Sequence, residues 1–432
     1  MNPMAGHGNA PQYLFMNTNS TRAIMHKKVL MFLKLGRVRT IVVSSAEIAK
    51  EVMKTQDLAF ANRPVLVAVE QLLYGGTDVV FSPYGDCTVQ SFQSVREEEV
   101  AAMVSAISGS SNGDPVDLSK IFYTLANRIS CKVALGYSEG DQTEHRFYKI
   151  IQELNSLVGS FCAADLFASM GWIDILTGFH ARLKKNFREL DCFLDKVIRD
   201  HKSKEVSEAT TTNEDFVDIL LQAQKDYILD IPLTLDNLKA IILDMFSAGT
   251  ETLATTLEWL MSELELRRVM GVKSKLNAYE DEVPELEYFH SVIKEVPRLH
   301  PPVPLLVPRE SKEGIKIDGY DIPAKTRVYI NAWAIGRHLD CWDRAGEFLP
   351  EMFMSSTIDF RGQDFEFIPF GAGRRSCPGY LFAIHTVVLT AANLIQHFEW
   401  EVPPGGLDMA ESSGITAHRK YHLYLLATPR CI

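Results

Sequence analysis

The sequence predicts a mainly α protein with a small β subdomain. Apolar residues recur at helical spacing through most of the chain, and the longest such segment runs from Leu235 to Leu266. After Pro301-Pro302 the pattern changes to short strand-like runs between Gly and Pro turns. No linker separates these regions. We therefore expect residues 29–432 to form a single domain, preceded by a polar and poorly ordered segment, residues 1–28.

Local patterns place the individual elements. Apolar runs on either side of Gly36-Arg37 predict a β-hairpin, and Ser44-Ser45 then supply N-cap candidates for a helix over Ala46–Thr55. The polar stretch Ser203–Glu214 is expected to be a surface loop. Further helices are predicted over Val95–Ser108, Leu118–Leu135, His145–Val158, Gly178–His201, Phe216–Lys225, Leu286–Leu299 and Tyr380–Phe398, and strands over Leu305–Arg309, Ile315–Ile317, Arg327–Ile330 and Tyr421–Ala427.

Composition excludes several classes of protein. The formal net charge of −11 and the pI of about 5.6 argue against a nucleic-acid binder, which would normally present a basic face. The cysteine count is seven, and no C-x-x-C pair occurs, which argues against a disulfide framework and against a zinc or iron–sulfur cage. An intracellular, reducing setting fits this usage best. Met1–Thr21 has neither an apolar run of membrane-spanning length nor a signal-peptide pattern, so we expect no N-terminal anchor in this sequence.

The strongest motif is the ten-residue string F-G-A-G-R-R-S-C-P-G, from Phe370 to Gly379. Its glycines, among them Gly373, let the backbone come close to something large and flat. Cys377 lies near the start of a predicted helix, where the helix dipole and nearby amides favour a thiolate. The alternatives are a glycine turn before a helix with a buried cysteine, and a phosphate loop, although G-K-[ST] is missing.

Two weaker motifs precede this string. The segment Ala248-Gly249-Thr250-Glu251-Thr252 lies inside the longest predicted helix, and alone it would pass for part of an ordinary amphipathic helix. Glu295 and Arg298 are three residues apart on one helix face, where an exposed salt bridge of little energetic value is the alternative.

The ten-residue string has the form F-x-x-G-x-R-x-C-x-G, and the chain resembles the cytochrome P-450 family over nearly its full length, with its closest likeness to plant enzymes of specialised metabolism. The resemblance implies the cytochrome P-450 fold and a haem b group whose iron is bound by Cys377. Such a thiolate pushes electron density onto the iron and helps to split dioxygen. Arg375 and Arg309 would approach the haem propionates.

The same resemblance implies roles for the other two motifs. Gly249 would give dioxygen room beside the haem, Thr252 and Glu251 would deliver protons, and the pair Glu295–Arg298 would support the haem-binding core. The implied reaction inserts one atom of dioxygen into an apolar small molecule, with electrons from NADPH through a flavoprotein reductase. The family is normally associated with the endoplasmic reticulum membrane, whereas a sequence without an anchor would leave the protein in the cytoplasm.

The chain also departs from the family pattern. A Trp-x-x-x-Arg helix that normally contacts both propionates is absent, since the first tryptophan is Trp172, and the junction at Cys87 looks like a deletion of roughly one helix. Met352 stands where the family's Pro-Glu-Arg-Phe has arginine, Pro297 lies inside the helix of the Glu295–Arg298 pair, and the connection Gly271–Glu287 is short and acidic. These departures predict weak haem retention. The alternative function is therefore a non-catalytic or haem-deficient relative that retains the fold.

Overall fold

A computed structural model describes residues 29–80, 92–110, 113–136, 142–160, 162–207, 215–225, 233–269, 282–354, 356–412 and 414–430. The polar segment 1–28, the junction at Cys87 and most of the connection Gly271–Glu287 lie outside these residues, so the expectations for them stay predictions.

The predicted N-terminal hairpin is confirmed and forms the edge of a sheet. Strands β1 (Leu30–Leu35) and β2 (Val38–Val43) pair antiparallel around Gly36, whose positive φ of 62° suits a residue without a Cβ. The other strands are β3 (Val116–Asp117), β4 (Arg309–Glu310), β5 (Ile315–Ile317), β6 (Tyr320–Ile322), β7 (Arg327–Ile330), β8 (Phe398–Glu401) and β9 (Tyr424–Pro429). β2 pairs in parallel with β7, which pairs antiparallel with β4, giving the order β1-β2-β7-β4. The remaining strands form two small sheets, β3-β9-β8 and β5-β6.

Helices make up most of the described chain, as the sequence predicts. The first, α1 (Ala46–Lys50), is capped by the side chain of Ser45 and continues as a π-helical turn over Glu51–Thr55. The others are α2 (Val67–Leu72), α3 (Gln93–Ser110), α4 (Leu118–Leu135), α5 (Gln142–Val158), α6 (Ala163–Leu166), α7 (Gly171–Leu176), α8 (Phe179–Ser207), α9 (Phe216–Lys225), α10 (Leu235–Val269), α11 (Glu282–Leu299), α12 (Ala332–Ile335) and α13 (Tyr380–His397). Short 3-10 turns cover Asp57–Phe60, Ala168–Met170, Pro350–Phe353 and Gly373–Arg375.

The central helix α10 connects two parts of the hydrophobic core. Its N-terminal half, including the fully buried Phe246, packs with α5, α8 and α9. Its C-terminal half, including the fully buried Trp259, packs with α4, α11 and α13. One helix is thus shared by both clusters, and the single domain over residues 29–432 stays a prediction.

Several boundaries differ from the sequence prediction. The strand expected over Leu305–Arg309 is limited to Arg309–Glu310, because Leu306 adopts a positive φ of 49° and the carbonyls of Val307 and Pro308 accept hydrogen bonds from a side chain instead of a strand. Helix α8 continues to Ser207, into the expected loop. The last strand begins at Tyr424 rather than at Tyr421.

Among the described helices, none combines the length and the apolar character needed to cross a bilayer.

Candidate active site

The loop before α13 holds Cys377 by two backbone hydrogen bonds. The N–H of Cys377 donates to the carbonyl of Phe370 at 2.9 Å, which closes the loop on itself. The N–H of Gly379 donates to the sulfur of Cys377, and this bond lowers the pKa of the thiol, although burial raises it by more. A sulfur that accepts a backbone amide is suited to carry negative charge once a cation compensates its burial.

Gly373 and Gly379 serve different purposes in this loop. A Cβ on Gly373 would lie 2.0 Å from the carbonyl oxygen of Met53 and 2.8 Å from the carboxylate of Asp57, so this glycine is required by the contact with the turn after α1. A Cβ on Gly379 would lie 4.0 Å from the sulfur of Cys377, an ordinary contact. The sequence predicts that the glycines of the motif let the backbone approach a flat ligand. At Gly373 the structure shows a different reason for glycine, the close contact with Met53 and Asp57.

Two aromatic side chains outside the motif pack against its one aromatic residue, Phe370. The ring of Phe370 lies 5.9 Å from that of Phe360 and 6.2 Å from that of Tyr380, measured between centroids. Such tilted and edge-on ring contacts fix the position of Phe370, and with it the carbonyl that holds Cys377.

Helix α10 carries an open face of small residues in its middle. Ala248 is exposed, although Phe246 and Thr250 on either side of it are buried. Gly249 lies in an unbroken stretch of α-helix, and a Cβ there would lie 3.5 Å from the hydroxyl of Ser130, so α4 alone does not require glycine. The described residues leave Ala248 uncovered, so the side of α10 that carries Ala248 is open to a ligand.

The two candidate proton donors on α10 are held differently. The hydroxyl of Thr252 donates to the carbonyl of Ala248 at 2.5 Å, and therefore lies along the open face. The carboxylate of Glu251 instead accepts from the side-chain amide of Asn155 at 3.0 Å, on the side of the helix that faces α5. The structure thus places Thr252, and not Glu251, beside the open space.

Arg375 and Arg309 are both anchored by the chain around the loop. Arg375 donates to the carbonyls of Ala61 and Val79. Arg309 is buried, and it donates to the carboxylate of Asp57 at 2.9 Å and to the carbonyl of Ala372 at 2.9 Å. Sequence reasoning did not find Asp57.

A third arginine, Arg63, was also missed, because Asn62-Arg63-Pro64 reads only as a turn. Its Nε donates to the carbonyl of Val80, and its Nη1 donates to the carbonyls of Val307 and Pro308. The only sequence signal was an arginine next to a proline, which does not by itself indicate a site.

Glu295 and Arg298 form a fully buried ion pair. Arg298 donates to both carboxylate oxygens of Glu295, at 2.5 and 2.7 Å, and its remaining donors reach three backbone carbonyls. The backbone N–H of Leu349 also donates to Glu295. The pair forms although Met352, which packs beside Phe353 and Trp342, offers no charged donor, and although Pro297 lies in the last turn of α11.

Comparison with known proteins shows which family this chain belongs to. The family model described as cytochrome P450 matches residues 3–425. The chain belongs to the cytochrome P-450 family. Cytochrome P-450 71A1 of Persea americana is 46% identical over 435 residues, which cover 92% of this chain and 86% of that one. Phenylacetaldehyde oxime monooxygenase of Prunus mume is 42% identical, and the alignment covers 98% of this chain and 87% of that one. Premnaspirodiene oxygenase of Hyoscyamus muticus is 41% identical, with 93% and 85% covered.

Solved structures show the same cytochrome P-450 fold. A zebra fish cytochrome P-450 with progesterone matches with a TM-score of 0.77 and 23% identity, over 98% of this chain and 100% of that one. Another zebra fish structure, with abiraterone, matches with a TM-score of 0.75 and 24% identity, over 95% and 99%. The predicted fold class is therefore confirmed, and the chain is related to monooxygenases of plant secondary metabolism.

The residues of this cytochrome P-450 fit a haem group. The sulfur of Cys377 accepts one backbone amide and has no other strong hydrogen-bond partner in the described chain. Such a sulfur is suited to bind iron as a thiolate. Helix α10 offers an open face of small residues at Ala248 and Gly249. Guanidinium donors on Arg309 and Arg375 suit the carboxylates of a haem.

Proposed function

We propose that this cytochrome P-450 is a haem-thiolate monooxygenase that inserts one atom of dioxygen into an apolar small molecule. The observation that carries the proposal is the sulfur of Cys377, fixed by Phe370 and receiving the N–H of Gly379, within the family's haem motif. Relatives at 42% and 41% identity are named as a monooxygenase and an oxygenase. Electrons would come from NADPH through a flavoprotein reductase.

In this proposal the sulfur of Cys377 would bind the iron of haem b, and Arg375 and Arg309 would hold the propionates. When bound, the haem supplies the chemistry of dioxygen activation, which a thiolate ligand favours. Arg309 would share its guanidinium between a propionate and Asp57, whose carboxylate already fixes its position. The expected weak haem retention stays a prediction, because the junction at Cys87 lies outside the described chain.

Proton delivery is assigned to Thr252 and Glu251. The hydroxyl of Thr252 is oriented by the carbonyl of Ala248 and can pass a proton into the open space beside it. Glu251 lies one residue away and is hydrogen-bonded to Asn155, which also accepts from the hydroxyl of Ser247. Glu251 would therefore take up a proton on the side of α10 that faces α5, and Thr252 would donate a proton into the open space.

We propose an apolar substrate because apolar side chains line the candidate site near α10. Family likeness puts substrate contacts along Asp244–Ala248 and at Val303–Leu306, where Met245 and Leu306 are partly exposed and Leu305 is buried. Apolar walls with few polar groups are typical of small-molecule sites. Attachment to the endoplasmic reticulum membrane is proposed from the family alone.

An isotope experiment tests this function. The purified chain, a plant flavoprotein reductase and NADPH are incubated under oxygen-18 gas with a panel of apolar plant metabolites, and products are analysed by mass spectrometry. We expect products that carry one oxygen-18 atom, and none in Cys377→Ser. Product labelled from water instead of dioxygen, or equal turnover in Cys377→Ser, would contradict the proposal.

A further inference from the structure

Arg63 lies in the wall of the candidate site and has hydrogen-bond donors that no described residue uses. Its hydrogen bonds to the carbonyls of Val80, Val307 and Pro308 use Nε and Nη1. Nη2 makes no hydrogen bond to any residue that the structure describes. The side chain is only partly buried, so its Nη2 faces a space that the described residues do not fill.

The hydrogen bonds of Arg63 bring three guanidinium groups together. Arg63 donates to Val80, and Arg375 donates to the neighbouring carbonyl of Val79. Arg63 also donates to the two residues that directly precede Arg309. Arg63, Arg309 and Arg375, the three-arginine cluster, therefore converge from segments that are far apart in the sequence.

The guanidinium of Arg63 lies in a poorly solvated place beside two other cations. The pKa of Arg63 is lowered well below its usual value, first by burial and then by the charges of Arg309 and Arg375, while Asp78 and Asp244 act in the opposite direction. Asp57 forms an ion pair with Arg309 at 2.9 Å. A buried guanidinium with two cationic neighbours favours an anionic ligand.

We infer that Arg63 is a haem-anchoring residue, and that its free Nη2 donates to a propionate in concert with Arg375 and Arg309. This inference rests on the proposed haem site. It gives the chain a propionate contact independent of the Trp-x-x-x-Arg helix that its sequence lacks. A charged donor aimed at a carboxylate forms one of the stronger hydrogen bonds available in proteins.

Comparison of two porphyrins separates this role from a merely structural one. The apoprotein is titrated with haem and with haem dimethyl ester, whose propionates carry no charge, and affinity is read from Soret absorbance. Arg63→Gln should weaken haem binding about ten- to hundredfold, because a charge-assisted hydrogen bond is lost. It should change ester binding by less than about threefold, because the ester cannot form that bond.

Arg267→Gln is the matched control. Arg267 is a buried arginine that, like Arg63, donates to a backbone carbonyl, here that of Phe348, and it lies roughly 27 Å from Gly249 along α10. It should change the two affinities by the same factor. If Arg63→Gln does not fold, Arg63→Lys carries the test: its haem affinity should fall while its ester affinity holds, because lysine lacks the forked donor.

The outcomes are distinguishable. If Arg63→Gln weakens the binding of both porphyrins equally, or weakens neither, the proposed role of Arg63 is wrong. The proposed function still stands in that case, provided that the parent chain binds haem through a thiolate. A parent chain that binds neither porphyrin would overturn both.

Discussion

Arg298 and Glu295 meet in a two-pronged ion pair whose side chains are both 0% exposed. Arg298 also donates to the carbonyls of Gly336, Ala345 and Glu347, so this one side chain connects α11 to the segment that leads to Pro350. The pair therefore ties together distant parts of the core that supports the Cys377 loop.

Removing the charge of Glu295 should be costly. Glu295→Gln leaves the guanidinium of Arg298 buried without its counter-charge, and we expect a loss of about 3–5 kcal/mol in the free energy of unfolding. Urea denaturation measures this. The control is Arg268→Gln, which breaks the equally spaced pair with Glu265, where Arg268 is 45% exposed, and should cost less than about 1 kcal/mol. Similar losses in both variants would show that burial of the Glu295–Arg298 pair contributes little.

Thr252 should control how efficiently electrons yield product. Thr252→Ala removes the hydroxyl beside the open face of α10, and we expect more hydrogen peroxide released per NADPH consumed, because proton delivery is impaired. Thr256→Ala is the control, since Thr256 makes the same kind of bond one turn later, to the carbonyl of Thr252 at 2.8 Å. Equal coupling in both variants and the parent would remove Thr252 from the mechanism.

His201 should stabilise the fold at low pH. Burial lowers the pKa of His201, but its hydrogen bonds to Asp215 and to the carbonyl of Val197 raise it by more, and the net direction is upward. A raised histidine pKa gives stability that is full below the unfolded value of about 6.5 and is lost as pH rises through the folded value. The difference in unfolding free energy between the parent and His201→Gln should therefore shrink with rising pH. A difference that grows with pH would contradict this.

Asp244 should make the fold lose stability as pH rises. Its pKa is raised by burial and by Asp78, so the folded state holds a proton that the unfolded state releases above about pH 3.9. Asp244→Asn has no such proton, while its side-chain oxygen can still accept from the N–H groups of Val79 and Val80. The parent should therefore lose unfolding free energy relative to Asp244→Asn between acidic and neutral pH. Parallel pH profiles of the two proteins would show that the carboxyl pair does not titrate as described.

The sequence predicted the helices well because their apolar faces repeat at helical spacing over many residues. It failed over Leu305–Arg309, where apolar residues resemble a strand. There the carbonyls of Val307 and Pro308 bond to Arg63, which is more than two hundred residues away in the sequence. Local patterns carry no information about such a partner.

The candidate site shows the same limit. The motif around Cys377 is contiguous, so the sequence alone suffices to recognise its resemblance to the cytochrome P-450 signature. The contributions of Arg63 and Asp57 depend on contacts across the chain, and nothing local marks either residue as part of a site. The sequence marks Gly373 as one of the glycines of the motif, but the physical reason for a glycine there, the approach of Met53, becomes visible only in three dimensions.

The position of the Soret band in the reduced, carbon monoxide-bound protein tests the central claim most directly. If Cys377 binds the haem iron as a thiolate, the parent and Cys341→Ser should show a strongly red-shifted band, and Cys377→Ser should not. Cys341 is an exposed free cysteine outside the loop and is the matched control. A band at the position of imidazole-ligated haem in the parent, no haem at all, or an unchanged band in Cys377→Ser would contradict the account.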